Sequence, residues 1–295
     1  MLNVIRMEIN RLFRSKSLYI AMGICAGVVV IFVMLLGALM DLTAGMNDYS
    51  QMNVSQGDIA RDMSVSAGDF SAGITVSASD ASPVPAPNPI SFCASIVSGL
   101  CILFVVIYTA SFVHTFYKDG YCKNVIACVK YRYYFQISKT VCVGAISAMF
   151  LVSSSVVAML ASAVLIHGFV FAHMGLYFAF MTGEFLLLTA VGLLSAFLTE
   201  LTGGKATAIV YILLAMTNLV NGILSLLDSK LSQLLHIDVT LSSLLPSLYH
   251  ASFTISDTET AANGANLAHA ILLSIAFIAI YNTAGSYLIT KRDVK

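Results

Sequence analysis

The N-terminal stretch MLNVIRMEINRLFRSKSLYIAMGICAGVVVIFVMLLGALMD (Met1–Asp41) decides the fold class. Leu18–Met40 is a continuous apolar run that stops at Asp41. Roughly 20 such residues are enough for a helix to cross the hydrocarbon core of a bilayer. The run exceeds the core of a secretory signal peptide, about 7–15 residues, so it is read as a retained span. Residues 1–17 precede it. At about 100° per residue, Leu2, Val4, Ile5, Ile9, Leu12 and Phe13 share one arc. Asn3, Arg6, Asn10, Arg11 and Arg14 fall largely on the other, with Glu8 off the polar arc. A basic amphipathic helix leading into a span is expected to lie in the membrane interface.

The rest of the chain repeats the apolar pattern. Further runs are Ile90–Phe116, Thr140–Ile166, Leu176–Leu198, Ala206–Leu227 and Leu267–Ile289, each with ends uncertain by about 2–4 residues. Over all 295 residues, 58% are hydrophobic and 10% charged, and mean hydropathy is +0.88. Soluble domains carry roughly 25% charged residues, so a water-soluble enzyme is excluded. The expected fold is an all-α membrane protein with six transmembrane helices and an N-terminal amphipathic interfacial helix. Its two parts are residues 1–17 and a six-helix domain over 18–295.

Charge placement orients these spans. Residues 1–17, loop 117–139, loop 199–205 and the tail hold 13 of the 15 Lys and Arg residues; the opposite loops hold only Arg61 and Lys230. The positive-inside rule then predicts both termini in the cytoplasm, as an even number of spans requires. On this assignment the formal net charge of zero splits into +9 inside, −8 outside and −1 at Glu184 within a span. The neutral total excludes a generally basic nucleic-acid binder. Cys25, Cys93, Cys101, Cys122, Cys128 and Cys142 avoid the interiors of the outer loops, which argues against a disulfide framework there. Outer loop 41–89 is acidic and ends Pro83-Val84-Pro85-Ala86-Pro87-Asn88-Pro89, which predicts an extended strut. Outer segment 228–266 contains Leu231–Leu235 and Leu241–Leu245, too short to span. They are expected as half-helices, a shallow re-entrant hairpin or capping helices.

The loop between the second and third spans is the most specific stretch. It reads Phe116-Tyr117-Lys118-Asp119-Gly120-Tyr121-Cys122-Lys123-Asn124 and continues to Tyr131-Arg132-Tyr133-Tyr134-Phe135-Gln136-Ile137-Ser138-Lys139. Basic and aromatic side chains together make a surface suited to a protein partner. The acid–Gly pair before Lys-Asn, then Arg and Ser-Lys, resembles the permease subunits of type-2 ATP-binding-cassette transporters, the ABC-2 type family. The matching residues are Asp119, Gly120, Lys123, Asn124, Arg132, Ser138 and Lys139. The proline that many members carry before the arginine is missing; Val129, Lys130 and Tyr131 fill that stretch. The whole layout is similar too, with residues 1–17 as the elbow helix. The resemblance implies that loop 117–139 couples to a separate ATP-binding subunit, through Asp119, Gly120, Lys123, Asn124, Arg132 and Lys139. It also implies a second permease chain, as a homo- or heterodimer, and export of or immunity to peptides, antibiotics or lipid-like molecules. A bacterial plasma membrane is the expected location. ATP and magnesium would be bound by the partner: Gly203-Gly204-Lys205-Ala206 lacks the P-loop glycine, with Thr199 in its place, and the Ser/Thr after the lysine. No cofactor, metal or catalytic site is expected in this chain.

Inside the spans, Glu184 is the one acid. A charge at that depth disfavours insertion by about 2.5–3.5 kcal/mol and must face protein or water. Asn218 and Asn221 share a face at nearly the same depth. The three are expected to line one polar zone, as a substrate or proton site or as a structural contact between helices. Ser153–Ser155 are expected to bond back to their own helix. The alternative function is a secondary transporter or channel using Glu184 as a proton or cation site. A membrane-embedded enzyme or anchor is a third class, disfavoured by the lack of catalytic spacing.

Overall fold

The computed structural model describes residues 2–53, 89–118, 133–165, 174–216, 241–253 and 260–291. All of its regular elements are helical. In chain order they are α1 (Leu2–Arg14), α2 (Lys16–Asn53), α3 (Pro89–Lys118), α4 (Tyr133–Leu165), α5 (Met174–Thr202), α6 (Lys205–Met216), α7 (Leu241–Leu244), α8 (Pro246–Ser252) and α9 (Thr260–Lys291). Five of these, α2, α3, α4, α5 and α9, are long and apolar enough to cross a membrane. The protein is therefore an all-α, multi-pass membrane protein. The fifth expected span, Ala206–Leu227, begins as α6, and its remainder lies outside the described residues, as does most of the proline strut. Asp41 ends the apolar run of α2 but not the helix, which continues to Asn53. One acid changes the solvent a helix prefers without breaking its hydrogen bonds. Pro89 opens α3, where its missing N–H would be unpaired in any case.

Helices α3 and α5 form the centre of the bundle. In each, 61% of the apolar window is buried, against 22% in α2 and α9. One core runs through Val29 and Val33 of α2, Val97 and Ile102 of α3, Leu188 and Val191 of α5, and Ile212 of α6. At the α1 end, Leu12, Leu18, Phe112, Phe116, Phe135 and Phe150 pack together. Near α8, Tyr177, Phe180, Tyr249 and Phe253 pack with Leu273 of α9. The outward faces stay apolar: Ile20, Ile24, Ile31 and Leu35 on α2, and Leu272, Ile275 and Ile280 on α9, are exposed. Such faces suit lipid, whose tails are as apolar as the side chains. Gly23 and Gly27 lie on this open side of α2, and no other part of the described chain approaches them.

Two short breaks set the helix directions. At Ser15 the chain turns from α1 into α2. The Ser15 hydroxyl donates to the Leu12 carbonyl at 2.7 Å and meets the Tyr108 hydroxyl of α3 at 2.9 Å. At the other break Gly203 takes φ 71°, and its N–H bonds to the Thr199 carbonyl at 2.9 Å. That left-handed cap ends α5 and turns the chain into α6, a conformation glycine adopts without Cβ strain.

Close approach also explains Gly192 at the crowded centre. A Cβ there would lie 2.7 Å from Val143 Cγ1 of α4, and a β-branched neighbour yields little. Gly192→Val is expected to destabilise the detergent-solubilised protein by about 1–3 kcal/mol, seen as a lower melting temperature. Gly23→Ala, where a Cβ meets open space, is expected to leave melting unchanged or slightly raised.

Candidate functional site

The described polar chemistry collects at two places along α5. Glu184 and Glu200 both lie on this helix, several turns apart and toward opposite ends of the bundle. Each is buried, and each meets one basic side chain.

The first site is at the α1 end. Lys139, near the start of α4, is 1% exposed and forms an ion pair with Glu200. Its ammonium also donates to the Tyr117 hydroxyl at 3.1 Å, from the end of α3. It sits 4.4 Å from the ring centroid of Phe135 and 5.3 Å from that of Tyr117. A lysine can be buried this fully only when its charge is matched, and here carboxylate, phenol and two ring faces surround it. The arrangement ties α3, α4 and α5 together at one point. Other faces of α4 are occupied as well. Thr140 donates to Asn282 of α9, and Gln136 fills the space left by Gly285, also on α9.

Helix α1 docks beside this junction. Glu8 and Leu12 are fully buried, while Met7 and Phe13 are exposed. The Arg11 guanidinium lies 4.5 Å from the Phe116 centroid and 5.8 Å from that of Phe112, and it reaches Thr115 Oγ1 at 3.4 Å. Phe13, on the apolar arc, is exposed away from the bundle, and Arg11, at the edge of the polar arc, is half-buried against α3. Docking against α3 and α4 selects a narrower inner face than a planar lipid interface would. It makes Glu8, the acid that lies off the polar arc, part of that face.

The second site lies near the opposite end of α5. Glu184 is fully buried and forms an ion pair with His250 of α8, itself 3% exposed. Neither Glu184 oxygen nor His250 Nε2 makes a hydrogen bond among the described residues. The residue before Glu184 is Gly183, and a Cβ there would overlap the ring of Phe253, 2.7 Å away. Phe253 stacks on Phe180 at 5.3 Å between centroids. Nearby, the Cys101 thiol of α3 meets Ser154 Oγ of α4 at 2.8 Å. Ser153, Ser154 and Ser155 all donate to carbonyls of their own helix, as their position predicts.

Of the coupling and pathway residues expected from sequence, the structure describes Glu184 and Lys139. Asp119, Gly120, Lys123, Asn124, Arg132, Asn218 and Asn221 lie outside the described residues. Lys139 points into the bundle. Glu200 and His250 are the partners that sequence reading passed over. Glu200 reads as a loop acid, and His250 as one histidine in a short apolar piece; only long-range packing gives each a role. Among the described residues no three His, Cys, Asp or Glu side chains come together to hold a metal ion. No protein-family model matches the chain, and no curated protein matches it.

The Lys139–Glu200 pair has a measurable signature. Removing one partner leaves a buried charge alone, so Lys139→Met or Glu200→Leu is each expected to destabilise by about 3–5 kcal/mol. The double variant K139M/E200L leaves no orphan and is expected to recover most of that loss. Thermal unfolding of the four proteins in one detergent completes the cycle.

Proposed function

We propose that this multi-pass protein is the membrane-spanning permease subunit of an ATP-driven exporter of the ABC-2 type. The observation that supports it most directly is the three-helix junction at Lys139. The segment between α3 and α4 carries the family-like residues Asp119, Gly120, Lys123, Asn124 and Arg132. The helices it joins are tied to each other and to α5 through Tyr117, Lys139 and Glu200. A push on that segment from an ATP-binding subunit would therefore move three helices as a unit. In this reading the α1 end faces the cytoplasm, Lys139 acts as the inner anchor of the coupling segment, and the tightly docked α1 braces α3 and α4. The substrate pathway forms between this bundle and a second permease chain, because one bundle of this size is small for enclosing a pathway. Its mostly apolar lining suits a peptide, an antibiotic or a lipid-like molecule.

A second reading draws on Glu184. A buried carboxylate paired with a histidine inside a bundle is a common arrangement for moving a proton or a cation. The chain would then be a secondary transporter or channel, with Glu184, Asn218 and Asn221 in its pathway.

The two readings separate in one preparation. The full chain is co-expressed with the ATPase encoded nearest its gene and purified gently in detergent. The exporter reading predicts a stoichiometric ATP-binding subunit. It also predicts that Asp119→Ala and Arg132→Ala weaken that association and lower ATP-dependent transport at least about tenfold. A complex without an ATPase, together with transport untouched by both substitutions, would remove it in favour of the second reading.

A further inference from the structure

The Glu184–His250 pair belongs to a larger fit between α5 and α8. Two adjacent residues of α5, Gly183 and Glu184, receive two residues three apart on α8 and its end, His250 and Phe253. Gly183 is a socket: without a side chain it admits the Phe253 ring, which a Cβ would block. Glu184 supplies the charge that meets the imidazole. Phe253 is the C-cap of α8, so one short element carries both groups to α5. Leu248 of α8 is inserted in the central core, and Ser247 meets the Tyr211 hydroxyl of α6 at 2.8 Å.

The Lys139–Glu200 and His250–Glu184 pairs differ in kind. At Lys139 the cation is permanent and is also held by a phenol and two rings. At His250 the cation exists only while the imidazole is protonated, and among the described residues neither Glu184 oxygen has a hydrogen bond to fall back on. The helix bearing His250 has 7 residues, too few to be stable apart from its contacts.

We propose that Gly183, Glu184, His250 and Phe253 form a proton-operated latch that holds α8 down on the end of the bundle. With His250 protonated and Glu184 ionised, the charges match and α8 stays docked. Loss of the imidazole proton leaves a buried carboxylate without a counter-charge, which favours undocking of α8 and entry of water to Glu184. The proton leaves to solvent and returns from it, so no other reactant is needed. The described groups at this end of the bundle leave the assignment to these two residues. From the elements packed on α8 they are Tyr177 on α5, Tyr211 on α6, His269 on α9 and Cys101 on α3; α7 contributes none. Burial pushes the Tyr249 phenol of α8 itself up, so it stays neutral while imidazoles titrate. His269 contacts the Ser243 carbonyl at 3.1 Å and the Tyr249 ring, and is the one other imidazole among them. The latch does not require that an ATPase, or any particular substrate, drives the protein.

The test measures docking of α8 in the full chain, held in lipid nanodiscs with both faces accessible. Leu248→Cys places a thiol that is covered when α8 is docked, and Leu244→Cys places one that is exposed in either state. The rate of labelling by a charged maleimide at Leu248→Cys, corrected for the parent's own cysteines, is divided by the rate at Leu244→Cys. This ratio removes the pH dependence that the two thiols share. It is expected to rise roughly tenfold between about pH 6 and about pH 9, where imidazole loses its proton. His250→Gln and Glu184→Gln are expected to raise the ratio at the lower pH and flatten the response. The pH series with the pair intact needs neither substitution to fold. A ratio independent of pH overturns the proposal. A pH response that survives His250→Gln also overturns it, by moving the switch to His269 or another group.

Discussion

A charge inside a bilayer has no water to turn to, and the described bundle is organised around that constraint. Lys139, Glu200 and Glu184 are all effectively removed from solvent, and each is met by an ionisable partner on another helix, which for Glu184 is an imidazole. Desolvation makes a lone buried charge so unfavourable that such pairs specify which helices must be neighbours. Apolar contacts alone would not do so, since helix faces of Val, Leu and Ile pack against lipid about as well as against one another. Glycines at the crowded positions complete the specification by letting particular side chains in. Gly192 admits Val143, Gly285 admits Gln136 and Gly183 admits Phe253.

Helix α5 is the shared member of both charged sites. It carries Glu200 at the end where α1, α3 and α4 converge, and Glu184 toward the end where α8 is seated. A rigid helix running between the two gives displacement at one end a mechanical route to the other. The ends are not equivalent. The lysine site is held by several interactions at once, whereas the histidine site rests on one titratable pair and one aromatic ring in a socket. The first suits a fixed pivot; the second suits a contact that opens.

The sequence made the class of fold legible because hydropathy is local. Each run from Leu18 onward declares its preferred solvent without reference to the rest of the chain, and four of the six expected spans coincide closely with described spanning helices. The first does so along its apolar part, and α2 runs past it because an acid at Asp41 does not interrupt a helix. Within α1, periodicity found an amphipathic helix but not which part of its surface packs on the bundle. The face a helix buries depends on what it meets, and here it meets Phe112 and Phe116 of α3 instead of a flat lipid surface.

The sequence by itself determined an all-α chain of repeated apolar spans, a basic amphipathic segment before the first of them, and one acid, Glu184, needing a partner. Composition and periodicity carry that information, residue by residue. Only the tertiary structure decided who the partners are. It brought His250 of α8 to Glu184 of α5, and Glu200 of α5 to Lys139 of α4, across long stretches of intervening chain. Pairing between distant helices leaves no periodic trace in a sequence. Lys139 reads as the end of a basic loop and Glu200 as a loop acid until packing takes both out of water, and removal from water is what obliges them to meet.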